Sequence, residues 1–212
     1  MTPTNEQEQQ PVLVIMGVSG SGKSTVAALL AGQLGWDLEE GDDLHPARNV
    51  AKMAAGQPLT DEDRWPWLDK VSAWITDHTT AGIPGIITCS ALKRIYRDRM
   101  RRPSVVFVHL AGSKNQIGQR LAARTDHFMP TTLLDSQMTT LEPPGPDENT
   151  LTVDVGRKPA DVAAEIIGRL GLVQHEGSST LGSAHPGTSS APALSDLWRP
   201  DQDASTEPPV SQ

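Results

Sequence analysis

The stretch Val12-Leu-Val-Ile-Met16-Gly17-Val-Ser-Gly-Ser-Gly-Lys23-Ser24-Thr25-Val26 decides the fold. Five apolar residues running into a glycine predict a strand buried on both faces. Val26, Leu30 and Leu34 recur at every fourth position and predict a helix over 23–34. Between them, Gly17 to Ser24 matches G-x-x-x-x-G-K-[ST], the phosphate-binding loop, in the strand–loop–helix context that pattern requires. Glycines let the backbone wrap a phosphate chain without β-carbon clashes, and the inward N–H groups sit at a helix N-terminus that favours anions. The residues predicted to hold the nucleotide are therefore Gly17, Ser19, Gly20, Ser21, Gly22, Lys23, Ser24 and Thr25. Lys23 is expected to reach the β- and γ-phosphates of ATP, and the Ser24 hydroxyl to ligate Mg²⁺.

Working outward, short apolar runs alternate with helical patterns. Trp36–Glu40, the residues after Pro84 up to Cys89, Ser104–Leu110 and Leu151–Val155 read as further strands. Apolar spacing at Trp67, Val71 and Trp74, at Val162, Ile166 and Leu170, and over Leu133–Leu141 reads as helices, the last followed by a Pro-Pro-Gly turn at 143–145. Strands alternating with helices imply an α/β fold with a parallel sheet covered on both faces.

The 212 residues carry a formal net charge of −8, unevenly distributed. Residues 1–10 contribute −2 and residues 173–212 contribute −4, which leaves −2 on residues 11–172. The last 40 residues hold 19 Ser, Thr, Gly or Pro against five Val or Leu, too little apolar surface to offset chain ordering. Three segments follow: a disordered stretch over 1–10, a kinase-sized domain over 11–172, and a disordered acidic tail over 173–212 whose Trp198 is its one conspicuous apolar residue. Overall acidity argues against a nucleic-acid partner. No apolar run is long enough to span a membrane and no secretory leader is recognisable, so a membrane partner is not expected and a cytoplasmic location is. The single cysteine, Cys89, excludes an internal disulfide and a multi-thiolate metal site. Closing an apolar strand, it reads as buried packing.

The strand at 104–110 ends in His109-Leu110 without a Walker B aspartate, and no N-K-x-D or L-S-G-G-Q signature follows. Those absences weaken GTPase and mechanical-ATPase readings. What remains is a small-molecule kinase, which needs an acceptor site, a base and cations around the transferring phosphoryl. The segments Gly41-Asp-Asp-Leu-His-Pro-Ala-Arg48-Asn-Val-Ala-Lys52-Met53, Leu59-Thr-Asp-Glu-Asp-Arg64-Trp-Pro-Trp-Leu68 and Cys89-Ser-Ala-Leu-Lys93-Arg-Ile-Tyr-Arg-Asp98 occur in order after the phosphate loop. Taken together they resemble the gluconokinase family over about residues 11–172.

The resemblance implies ATP-dependent phosphorylation of D-gluconate at its terminal hydroxyl. It also implies a three-layer P-loop kinase fold with a five-stranded parallel sheet, an acceptor-binding helical section and a lid. Relatives of this kind are often dimers, which makes a homodimer an expectation by resemblance alone. Asp42 matches the family's acidic residue after the second strand and is expected to accept or orient the proton of the attacking hydroxyl; Asp43 reads as a cap or turn residue. His45, Arg48, Arg64, Lys93 and His127 are the expected substrate contacts, arginine suiting a carboxylate because it binds bidentately. Arg120 and Arg124, one helical turn apart, are expected to close over the phosphates. The chain departs from many relatives around His127-Phe128, where Thr125-Asp126 and Met129-Pro130 replace basic residues. The remaining basic run Arg94, Arg97, Arg99, Arg101, Arg102 reads as a solvated helix face, and Trp65, Trp67 and Trp74 as core packing. A kinase of another hydroxy acid such as shikimate, or a nucleotide-binding regulator without turnover, are the alternatives.

Overall fold

Val12–Met16 forms β1, every residue of it buried, and the chain turns through the phosphate loop into α1 (Lys23–Leu34). Gly17, Gly20 and Gly22 take φ values of 139°, 78° and 96°, which side chains with a β-carbon rarely adopt, so the loop's curvature depends on those glycines. This computed structural model describes residues 10–122 and 131–173. The remaining elements are β2 (Asp37–Glu39), a 3₁₀ turn (Gly41–Leu44), α2 (Ala47–Ala54), α3 (Asp61–Ala81), β3 (Gly85–Cys89) and α4 (Arg94–Met100). They continue with β4 (Val105–Ala111), α5 (Lys114–Ala122), α6 (Thr131–Thr140), β5 (Thr150–Asp154) and α7 (Pro159–Leu170). Every strand expected from the sequence is present, with ends shifted by a residue or two.

The five strands make one parallel sheet in the order β2-β3-β1-β4-β5. Alternation along β1 divides the core. Leu13 and Ile15 face α1 and α7, where Val26, Leu30, Leu34, Val162 and Ile166 are buried. Val12, Val14 and Met16 face α3 and α4, where Trp67, Leu68, Val71, Ile75, Tyr96 and Met100 are buried. The result is helix, sheet, helix, the three-layer α/β fold. Because β1 lies between β3 and β4, the loops leaving those three strands meet at one end, where the ligand crevice of an open α/β sheet forms.

Trp67 is fully enclosed, as expected of core packing, whereas Trp65 and Trp74 are only partly covered. Cys89 is buried, and burial pushes its thiol up to about 12, which leaves it protonated and inert. α3 opens with a capping box in which Thr60 and Asp63 exchange hydrogen bonds, and Asp63 also grips Lys52 at 2.7 and 2.8 Å. That pair fastens α2 to α3; Lys52 holds the Asp63 carboxyl down at about 2. The T-x-x-D spacing carried this signal in the sequence.

Arg97 overturns part of the solvated-face expectation for α4. Its side chain is fully buried and forms a fork with Glu148, also buried, at 2.5 and 3.0 Å. Its remaining nitrogen donates to the Ala91 and Leu92 carbonyls at 3.1 Å each. Ala91 holds a left-handed φ of 45°, so Arg97 supports a strained turn that leads out of β3. The rest of the run is exposed or partly so, in agreement with expectation. Arg97→Met is expected to cost about 3–5 kcal/mol in urea unfolding, because it strands a buried carboxylate. Adding Glu148→Met should recover a substantial share of that loss, and a single-variant loss below ~1 kcal/mol would contradict the role given to the pair.

Candidate active site

The site grows from the tip of β3. Gly17 N–H donates to Ser90 O at 3.3 Å, which joins the start of the phosphate loop to the β3 exit. Beside it the 3₁₀ turn passes so close that a β-carbon at Gly41 would overlap the Thr88 carbonyl oxygen. Gly41 N–H donates to Thr88 Oγ1 at 3.1 Å, and Trp67 Nε1 donates to Gly41 O at 2.6 Å. Glycine is therefore required at 41, and the turn is fastened to sheet and helix through its backbone.

Asp42 is exposed on that turn, next to its anchored glycine. Its turn lies against the last residues of β3, and the charges of Asp42, Lys23 and Arg64 all act on the Cys89 thiol there. Asp43 is exposed in the same turn, one of the two places expected of it; the residue at the cap position is Glu40, whose side chain makes no capping bond. His45, at the turn's end, stacks on Trp67 with ring centroids 4.2 Å apart, and its Nδ1 lies 3.3 Å from Asn49 Nδ2. Burial lowers its pKa to about 4, against the opposing pull of Asp42. At neutral pH it is an uncharged ring that offers hydrogen bonds.

Arg64 and Lys93 enter from α3 and from the turn before α4, and both lie over the Tyr96 ring, at 5.7 and 5.6 Å from its centroid. Lys93 is not a bare cation. Asp61 accepts from its ammonium at 2.8 and 2.9 Å and also from the Tyr96 hydroxyl. These donors hold the Asp61 carboxyl below the ordinary carboxylate range, and burial, helped by that bond, pushes Tyr96 up to about 12. Sequence reasoning missed both residues. Arg48 stands apart, exposed in the first turn of α2, and joins none of these contacts.

On the phosphate side, Lys23 Nζ donates to the carbonyls of Gly17 and Val18 at 3.1 Å each. Ser24 Oγ donates to Glu40 Oε2 at 3.1 Å, and Thr88 Oγ1 donates to the same oxygen at 2.7 Å. Glu40 was also missed, because it reads as the last residue of a strand; the structure ends β2 at Glu39 and frees Glu40 to face Ser24. Arg120 reaches the loop, with Nη1 3.5 Å from Ser21 O, and its other nitrogen bonds the Val155 and Arg157 carbonyls. Gln116, Gln119, Arg120 and Gly156 line an open cavity of about 290 Å³ beside it. Arg124 and His127 lie outside the described residues, as do Trp198 and nearly all of both terminal segments.

A family profile described as an AAA domain matches residues 12–144. The gluconokinase of Gluconobacter oxydans is 50% identical over 157 residues, spanning 73% of this chain and 88% of that protein. A gluconokinase structure from Sinorhizobium meliloti is 43% identical with a TM-score of 0.71, over 76% of this chain and 91% of that one. An unliganded sugar kinase from Janibacter is 44% identical with a TM-score of 0.73, over 78% and 96%.

Proposed function

The chain belongs to the gluconokinase family, and on that premise we propose that this site transfers the γ-phosphoryl of ATP to the terminal hydroxyl of D-gluconate. The observation that supports the reading is the junction at the tip of β3, where the phosphate loop that holds Lys23 bonds Ser90 and the turn that carries Asp42 is fastened to Thr88. In this reading a phosphate-gripping cation and a carboxylate flank that junction, and α3 supplies an acceptor-side guanidinium. The hydroxyl oxygen attacks the γ-phosphorus, the bond to the bridging oxygen breaks, and ADP leaves.

Asp42 takes the hydroxyl proton in this scheme; its turn is held through Gly41 by the Thr88 hydroxyl and the Trp67 indole. Arg64 pairs with the gluconate carboxylate, while neutral His45 and the Lys93–Asp61 pair bond hydroxyls along the sugar chain. Asp61 gives this wall an acceptor that lysine alone lacks. Arg48 and His127 complete the proposed acceptor set, and Arg124 acts with Arg120 on the phosphates. The open cavity beyond Arg120, lined by Gln116, Gln119 and Gly156, suits the nucleotide base.

Mg²⁺ fits the hard oxygens of Ser24 and Glu40, which Thr88 orients. Among the described residues no cluster of three or more His, Cys, Asp or Glu could hold a metal ion, so phosphate and water oxygens would complete the shell. When bound, the ion would neutralise charge building on the phosphates. The kinase module is proposed to be residues 11–172, a cytoplasmic enzyme without nucleic-acid or membrane partners; no described helix is long and apolar enough to cross a membrane. A homodimer remains a proposal by family likeness.

The test is ADP formation from ATP with gluconate, shikimate, other sugar acids or no acceptor. Gluconate-dependent turnover is expected, both from the full chain and from one ending at Leu172. Turnover restricted to another acceptor would overturn the substrate. Tight ATP binding with no turnover would indicate a regulator, and loss of activity on truncation would overturn the domain boundary.

A further inference from the structure

α6 and the residue that follows it carry an apolar stripe, Leu134, Met138 and Leu141, that packs against Val18, Leu92, Ile117 and Leu121. Gln137 lies on that stripe, a polar side chain turned toward the phosphate loop. Its Oε1 accepts a hydrogen bond from Ser19 N–H at 2.6 Å. The donor is a backbone amide, so the carboxamide's orientation is determined: the carbonyl is engaged and the NH₂ group is what it has left to offer. Neither the sequence motifs nor the roles assigned above account for this contact.

The place of the contact gives it meaning. Ser19 is the third residue of the loop, and the Lys23 ammonium bonds the carbonyls of the two residues before it, Gly17 and Val18. The Gln137 carboxamide and the Lys23 ammonium thus address one run, Gly17–Ser19. Lysine in such a loop extends to the β- and γ-phosphates. A donor fixed on the neighbouring residue belongs to the same terminal phosphoryl rather than to the inner phosphates, which the amides nearer α1 surround.

We propose that Gln137 is a γ-phosphate-contacting residue, its carbonyl held by the Ser19 amide so that its NH₂ group donates to the terminal phosphoryl of bound ATP. This rests on the phosphate-loop reading above and deepens it. It gives α6 a part in telling triphosphate from diphosphate, and it makes release of ADP easier than release of ATP.

Calorimetric binding of ADP and of a non-hydrolysable ATP analogue, each with Mg²⁺, tests the proposal on the full chain. Gln137→Glu keeps an oxygen for Ser19 N–H but replaces the donor with a negative charge beside an anion. The analogue should bind about tenfold or more weakly relative to ADP, while the ADP affinity and the melting temperature barely move. Gln137→Leu removes the donor without adding charge and should shift the same ratio by about threefold to fivefold; it decides the matter if the glutamate variant does not fold. An unchanged ratio in both variants, or equal weakening of both nucleotides, would overturn the proposal and leave Gln137 as a structural link between α6 and the loop. Should the wild-type chain bind neither nucleotide, the phosphate-loop reading falls first and this inference with it.

Discussion

Lys23→Ala is expected to lower kcat by about a thousandfold or more and to leave the fold in place. A unit positive charge ~4 Å from a phosphate oxygen, at the effective dielectric of a partly exposed site, is worth roughly 4 kcal/mol. That corresponds to about three powers of ten in rate if the interaction is realised chiefly in the transition state. Lys23 is only partly covered, and its ammonium donates to two carbonyls of the loop itself. α1 is anchored by Val26, Ala27, Leu30 and Leu34, which the substitution does not touch. Steady-state kinetics together with a thermal melt check both halves. Activity within tenfold of wild type, with an unchanged melt, would remove Lys23 from the centre of the reaction.

Asp42→Asn is expected to reduce kcat by about 10²–10⁴ while KM for ATP stays within about threefold. The substitution keeps size and removes the proton acceptor. The turn should survive because its geometry comes from Gly41, Thr88 and Trp67, with no bond to the Asp42 side chain among them. A large rise in KM for gluconate with kcat unchanged would make Asp42 a binding residue instead. An unaltered kcat and KM would exclude it from the site.

Local patterns in the chain carried the phosphate loop, β1, α1 and the other four strands, because each depends on composition within about ten residues. The order of the strands was not legible from local pattern: β2 lies at an edge beside β3, and nothing within either run encodes that pairing. The same limit explains the misreading of Arg97. On α4 it sits among exposed basic neighbours, while its partner Glu148 is 51 residues away and arrives only when the chain after α6 folds back. Motif resemblance drew attention to Lys93 and Arg64 but not to Asp61, whose role depends on meeting Tyr96 and Lys93 across α3 and α4. Glu40 was hidden by a boundary of one residue. Gln137 was hidden by its helix, since a glutamine in a polar-looking stretch announces nothing until the face it occupies is known.

Thr88 has a consequence that reaches beyond the residues it touches. Its hydroxyl accepts from the glycine that anchors the acceptor-side turn and donates to the carboxylate beside Ser24. One oxygen atom thus belongs to both halves of the crevice. A shift of the Ser24 side would have a direct route, through that oxygen, to the turn that carries Asp42. With nucleotide on one side and gluconate on the other, as proposed, whatever factor the first adds to the affinity of the second must be returned in full. Synergy between substrates that never share a contact residue would have its origin in a single threonine on the central sheet.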